Sequence, residues 1–366
     1  MGSSYSPVYG EGIPFQTDYQ MPYIIDLLEL MAPGKRALAS FLSFVAWTVG
    51  MCFTAFVAWI IPHWWYIQLI MVITSLIFFL YWRILPPSPR WLLSKCRYDD
   101  CLDILMKVAK VNGKEVNRLK LEHELKSCNC DIEEEKIDIK TVLKHKIILF
   151  RGVLLMIYSF VVLLAYGCTL FYVDILPGNA YLSFFVLSAS ELPSNILSYL
   201  SVHYLGRRFT AISTILIAMI FSITAPFVLK ARSVLLFVVA MIKIFITQGI
   251  YVVYIMTCEV FPTPMRSIGM GSVVVFGMAG IFVSKYIVEA SGDGPFQYWV
   301  MVGMELAGLL VAIPIPETIG VALPQTLPEA NNLGKNRPFF KWIHHWNKDK
   351  FSEDRTNKIN VKNAFD

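Results

Sequence analysis

The chain has 366 residues, 56% of them hydrophobic and only 16% charged, with a mean hydropathy of +0.55 and a net charge of +5. Soluble domains carry about a quarter charged residues, so this composition is that of a membrane protein. The small basic excess, with no RNA- or DNA-binding motif beside it, excludes nucleic acid as a partner and leaves basic residues to set topology.

In chain order, residues 1–28 are polar, lead into no apolar leader and are expected to be disordered. Gly2 with Ser6 is a weak myristoylation pattern. A spanning helix needs about twenty apolar residues. Eight stretches qualify as candidates: 37–61, 66–85, 147–173, 181–203, 209–229, 234–257, 268–288 and 297–315. Between the second and third lies a charged segment, 96–146, whose apolar positions Leu102, Leu105, Met106 and Ala109 recur at helical spacing, as do Val116 and Leu119. That pattern predicts short amphipathic helices under the membrane domain, with a solvated charged face.

The connections alternate in character. Residues 32–36, the segment 90–146, Leu-Gly-Arg-Arg (205–208) and Pro-Met-Arg (264–266) are basic; 62–65, 174–179 and 289–295 are not, and Lys230 and Arg232 are the exception. The positive-inside rule places the basic loops and both termini in the cytoplasm, as an even span number requires. Seven cysteines give no disulfide framework. Cys52 and Cys168 lie in apolar runs, while Cys96, Cys101, Cys128 and Cys130 fall in the cytoplasmic segment, where thiols stay reduced. Cys128 and Cys130 lack a second ligand pair at zinc spacing, so no metal site is expected. No nucleophile–base set or phosphate loop points to an enzyme, and no cofactor is implied.

An internal repeat organises the chain. Glu29 precedes Arg36 by seven positions and Glu259 precedes Arg266 by seven; each Arg opens two spans, and each pair of spans ends in a proline-rich exit, 86–90 and 316–320. Residues 29–90 therefore repeat as 259–320. Four spans precede the second copy and none the first. This predicts a twelve-helix parent of which eight helices are present: two spans of a first bundle (29–95), the cytoplasmic loop (96–146), a complete six-helix bundle (147–318) and a cytoplasmic tail (319–366). The fold class expected is an all-α membrane bundle.

The motifs then carry a family resemblance. Pro-Ser-Pro-Arg-Trp-Leu-Leu-Ser (87–94), Glu-Val-Phe-Pro-Thr-Pro-Met-Arg-Ser-Ile-Gly-Met-Gly (259–271) and Glu-Thr-Ile-Gly…Leu-Pro-Gln-Thr-Leu-Pro-Glu-Ala (317–330) resemble signatures of the major facilitator superfamily, and in particular of the organic cation/anion transporters, solute carrier family 22. Ser-Glu-Leu-Pro-Ser-Asn (190–195) and Gly-Asn-Ala-Tyr-Leu (178–182) match further positions, and 62–69 is similar to the organic cation branch. The helix 147–173 lacks the Gln-rich motif of sugar porters, which makes a sugar porter the weaker reading.

The resemblance implies a plasma-membrane transporter of small organic ions, cations or zwitterions favoured, working by alternating access. A truncated, non-transporting binding or regulatory isoform is the alternative. It implies gating or topology roles for Glu29, Arg36, Arg90, Arg207, Arg208, Glu259, Arg266 and Glu317. The arginines are expected to hold helix C-termini or acids of the opposite bundle. Ionisable residues inside the membrane are costly and tend to be functional, which singles out Glu191, Lys243 and Glu305. Trp47, Tyr158, Tyr166 and Tyr251 match or adjoin cavity-lining positions of the family, and aromatic walls suit a cationic ligand. Met278 stands where cation-preferring relatives place an acid, and Asn195 where anion-preferring relatives place a lysine. A buried pair that merely keeps the bundle in register is the structural alternative for Glu191 and Lys243, and the favoured one for Glu305.

Overall fold

The computed structural model describes residues 36–61, 63–84, 89, 92, 97–113, 116–127, 145–171, 180–262, 265–292, 294–318, 324 and 327–333. Among them there is no strand. The helices are α1 (Arg36–Ile60), α2 (Trp64–Ile84), α3 (Tyr98–Val111), α4 (Arg118–Ser127), α5 (Lys146–Phe171), α6 (Ala180–Ala189), α7 (Glu191–Tyr204), α8 (Arg207–Thr224), α9 (Arg232–Val260), α10 (Arg266–Ser291), α11 (Phe296–Ala312) and α12 (Leu327–Asn332). Over the described residues, each expected span falls mostly on helix. Among the described residues, five stretches are long and apolar enough to cross a membrane: Ser40–Ile60, Lys146–Phe171, Arg207–Phe227, Ser233–Val260 and Arg266–Ser291. The described apolar part of α2 (Trp65–Thr74) and α11 are shorter.

The span expected at 181–203 is corrected: it is two helices with a turn at Ser190. Pro193 explains the break. It cannot donate to the Ala189 carbonyl, and its ring crowds that same group. The result is a kinked membrane helix, Ser190 keeping helical dihedrals and its bond to the Val186 carbonyl, with Glu191 in the first turn of the second part.

α5 is apolar all round and buried nearly continuously from Tyr158 to Thr169, as the central helix of a bundle must be. α9, α10 and α11 pack around it, and α8 closes the bundle against α9 and α11. α10 buries Gly269, Val273, Gly277, Gly280, Ser284 and Val288, a helical stripe of mostly small residues. Small residues let membrane helices approach closely. A Cβ built on Gly280 would lie 2.4 Å from the backbone oxygen of Phe160, which cannot rotate away. Gly280→Ala is therefore expected to separate α5 from α10 and to cost about 1–3 kcal/mol, as overpacking does. Gly303, with nothing within 4 Å of its Cβ position, is the control: Gly303→Ala should leave the melting temperature unchanged or slightly raised. Equal effects at the two glycines in a thermal melt would contradict the close-packing account.

α1 packs against α6, α7 and α9, while α2 touches α1 only lightly. Leu42, Val49, Phe53 and Phe56 of α1 and Trp65, Leu69, Val72, Ile73 and Leu76 of α2 are exposed. α3 and α4 pair through Cys101, Leu102, Ile104 and Leu125, with Leu92, Leu105 and Met106. The expected apolar role of Leu119 is corrected, because it is 76% exposed and α4 packs through Leu121 and Leu125 instead. Burial pushes the Cys101 thiol pKa up, keeping it protonated and unreactive. In the expected tail, α12 buries Leu327 and Ala330, and Leu333 beside it. The Arg151 guanidinium binds the Ala330 and Leu333 carbonyls at 2.7 and 2.6 Å, filling acceptors that a helix C-terminus leaves open.

Candidate functional site

Two polar clusters lie inside the bundle. The first gathers α1, α5, α7 and α9 at the break between α6 and α7. The Glu191 carboxylate is 1% exposed and lies 3.1 Å from the Lys243 ammonium, itself fully buried. The Tyr166 hydroxyl donates to Oε1 of Glu191 at 2.9 Å. Thr48 reaches Oε2 at 3.3 Å and the Phe44 carbonyl at 3.0 Å, and its single proton must serve one or the other. Asn195, one turn beyond Glu191, donates its amide to Thr48 at 3.0 Å. Lys243 also sits over the Tyr166 ring, 5.2 Å from its centre, within cation–π range. Trp47, half-buried, is within reach of the Tyr166 hydroxyl. The Lys243 ammonium has ion-pair proximity to Glu191 but no aligned hydrogen bond among the described residues.

The acid at the start of α7 also meets the positive end of that helix, which adds to the attraction. Three neighbours of the carboxylate (a cation, a phenol and a hydroxyl) offset the cost of burying it. Chemically, such an arrangement recognises a positive group through charge, a hydroxyl and an aromatic face.

The second cluster lies where the N-terminus of α8 meets the C-terminus of α9. The Arg207 guanidinium grips Glu259 through two bonds, Nε to Oε2 at 3.1 Å and Nη2 to Oε1 at 2.9 Å. Thr318 donates to the same carboxylate at 2.6 Å, and Arg207 reaches the Val202 carbonyl at 3.3 Å. Glu317 accepts the backbone N–H groups of Arg207 (3.0 Å) and Arg208 (2.9 Å), so a residue from beyond α11 caps the N-terminus of α8. Gly206 makes this possible. Its φ of +94° suits glycine alone, and a Cβ there would stand 2.8 Å from the Glu317 carboxylate. Arg208 donates to the Ile313 carbonyl at the end of α11, and Arg266, fully buried, to the Cys258 carbonyl at 2.9 Å.

An aromatic layer separates the clusters. Along α9, Tyr251 follows Lys243 by about 12 Å and Glu259 by about 24 Å, at 1.5 Å per residue. Phe44 contacts Tyr251 and Tyr254 with ring centres 5.1 and 6.1 Å apart, Phe41 contacts Tyr199 at 5.6 Å, and Tyr199 stacks on His203 at 6.0 Å.

The expected site residues thus separate. Glu191, Lys243, Tyr166 and Trp47 meet, and Tyr251 lies in the layer below them. Tyr158 instead ties α5 to α8 by donating to the Ala211 carbonyl at 3.2 Å. Met278 packs into the core around α5 and α10. Glu305 lies apart, fully buried in α11, with Ser222 donating to it at 3.1 Å. One expectation is corrected in part. Arg207 does reach a helix C-terminus, at the Val202 carbonyl in the last turn of α7, but its acid partner Glu259 belongs to its own bundle rather than the opposite one, because the turn at Gly206 faces Glu259 and Glu317. Arg208 and Arg266 do hold carbonyls at helix ends. Glu29 and Arg90 lie outside the described residues, as do Cys96, Cys128, Cys130 and Ile319, and the Arg36 side chain is likewise outside them. Thr48 is the cluster member that sequence reasoning missed. Asn195, singled out there as standing where anion-preferring relatives place a lysine, sits four residues after Glu191 on the same helical face and joins the cluster through Thr48.

Residues 28–327 match the family described as Sugar (and other) transporter. The chain is 27% identical over 338 residues to the Carcinine transporter of Drosophila melanogaster, covering 90% of this chain and 50% of that protein. It is 28% identical over 336 residues to Organic cation transporter 1 of Caenorhabditis elegans (88% and 56% covered) and 26% over 337 residues to human Solute carrier family 22 member 2 (89% and 59%). It therefore spans between half and three-fifths of the length of these relatives. Its fold is similar to the major facilitator superfamily proton:xylose symporter XylE bound to 6-bromo-6-deoxy-D-glucose, with a TM-score of 0.65 at 19% identity, covering 85% of this chain and 70% of that one. It also resembles the partially occluded inward-open conformation of XylE from E. coli, with a TM-score of 0.60 at 19% identity and coverage of 83% and 69%.

Proposed function

Because this chain belongs to the Sugar (and other) transporter family of the major facilitator superfamily, whose members are transporters rather than enzymes, we propose that it moves small organic cations across the membrane in which its helices are embedded. The observation that carries this reading is the buried Glu191 carboxylate, dressed by Tyr166 and Thr48 at a break in a membrane helix. Intramembrane acids mark the path of positive charge. The names of the relatives, organic cation transporters among them, support the same class. In this reading the aromatic layer and the Arg207–Glu259–Glu317 cluster form the cytoplasmic barrier, which opens when α1 moves away from α7 and α9. Zwitterions carrying a cationic head are the second substrate type, and the plasma membrane with both termini inside is the proposed setting.

The open faces of α1 and α2 favour a second reading, a membrane protein that binds the cation without moving it. Uptake separates the two. Cells displaying this chain at the surface are expected to accumulate labelled tetraethylammonium, and not a labelled carboxylate anion, above untransfected cells. Binding by the purified chain without any uptake would reject transport and leave the second reading.

A further inference from the structure

We propose that Lys243 is a built-in occupant of the cation position: its ammonium holds the place that the positive group of a substrate takes, and a substrate enters by displacing it from Glu191. The inference rests on the reading of this cluster as the substrate site, and it deepens that reading. The ammonium has the contacts a bound organic cation would have, an anionic oxygen at 3.1 Å and the face of Tyr166 at 5.2 Å. Yet it is held loosely, since Nζ makes no aligned hydrogen bond among the described residues although it is fully buried. A lysine placed only to lock the helices together would satisfy its donors, because an unmade bond to a buried charge is costly.

The surroundings also offer a place for the displaced head. Oδ1 of Asn195 and Oγ1 of Thr247 are buried and without partners among the described residues. Asn195 lies four residues after Glu191 on α7, and Thr247 four residues after Lys243 on α9. Both are therefore one helical turn, about 6 Å, further toward the cytoplasm on the same faces. These two acceptors can receive the ammonium when a substrate takes its place, so the carboxylate never faces an empty site. Lysine suits this use, being a compact charge on a flexible stem, where arginine would be fixed by its planar fork. The tether makes the exchange selective. A free cation competes with an amine whose effective concentration is of millimolar order or higher.

Removing the tethered amine tests this directly. Lys243→Ala is purified as the full chain and its melting temperature is followed as n-propylammonium or tetraethylammonium is added. The expected result is a saturable rise for Lys243→Ala, while wild type needs at least about tenfold more amine for the same rise, because its own amine competes. The double variant Glu191→Gln/Lys243→Ala should not respond. Should Lys243→Ala be recoverable only with amine present throughout, that too supports the assignment, and failure to recover it even then overturns it. Equal responses of wild type and Lys243→Ala, or a response of the double variant equal to that of Lys243→Ala, also overturn it. Because the readout is binding, its failure is distinct from failure of transport: uptake without any amine response rejects only the displaceable lysine, and amine response without uptake rejects only transport.

Discussion

Glu191→Gln is expected to lower the melting temperature by on the order of 10 °C and to weaken binding of a permanent cation at least about tenfold. Breaking a buried ion pair by removing one partner costs about 3–5 kcal/mol, because the remaining charge stays in a medium that cannot solvate it. Here the remaining charge is Lys243, 1% exposed on its side chain and without an aligned hydrogen bond among the described residues. For a chain of this size each kcal/mol moves the melting point by about 2–4 °C or somewhat less. The glutamine keeps the shape and still accepts from Tyr166, so packing is not what changes. The loss of cation binding follows from the charge-assisted contact, worth about 1.5–3 kcal/mol. Glu191→Gln/Lys243→Met removes both charges together and should regain most of the stability without regaining cation binding. A thermal melt of the two single variants and the double gives the coupling. Additive losses in that cycle would show that the two side chains do not interact in the membrane.

Arg207→Ala is expected to be of similar size and to act on a different property. The guanidinium joins the last turn of α7, the first of α8 and the last of α9, through Val202 and Glu259. Its loss leaves Glu259, 5% exposed, with only the Thr318 hydroxyl as a described donor. That again costs about 3–5 kcal/mol. Arg207→Lys should recover only part of it, since an ammonium cannot make the two parallel bonds of the fork. In the proposed barrier role, the opened end of the bundle gives the second readout. Cys258, one residue before Glu259 and 2% exposed, should become reactive to a hydrophilic maleimide added to the purified chain, with the labelled site located by mass spectrometry. A Cys258 as inert in Arg207→Ala as in wild type would mean that the cluster does not seal that end.

The sequence and the tertiary structure contributed at different levels. The helices were legible because a bilayer imposes one rule on every spanning segment: about twenty apolar residues with all backbone groups bonded internally. The boundaries of α1, α5, α9 and α10 follow from that rule within a few residues. The split at Ser190 was equally written in the chain, in Pro193, but hydropathy does not register a missing N–H. Leu119 shows the opposite failure: in a ten-residue charged helix the apolar period is too weak to say which side faces the bundle.

For the site, the sequence alone determined which residues are out of place in a membrane, namely Glu191, Lys243 and Glu305, because the cost of burying charge is a property of the residue and its depth. Only the tertiary structure decided their partners. Glu191 and Lys243, 52 positions apart in the chain, meet across two helices, while Glu305 has Ser222 and no cation among the described residues. Likewise the sequence marked Arg207, Glu259 and Glu317 as paired devices, but the turn at Gly206 decided that they close on one another within a single bundle. Local composition sets the energy of each group in the membrane, whereas which charge neutralises which is fixed by helix packing, a property of the whole chain that no single segment carries.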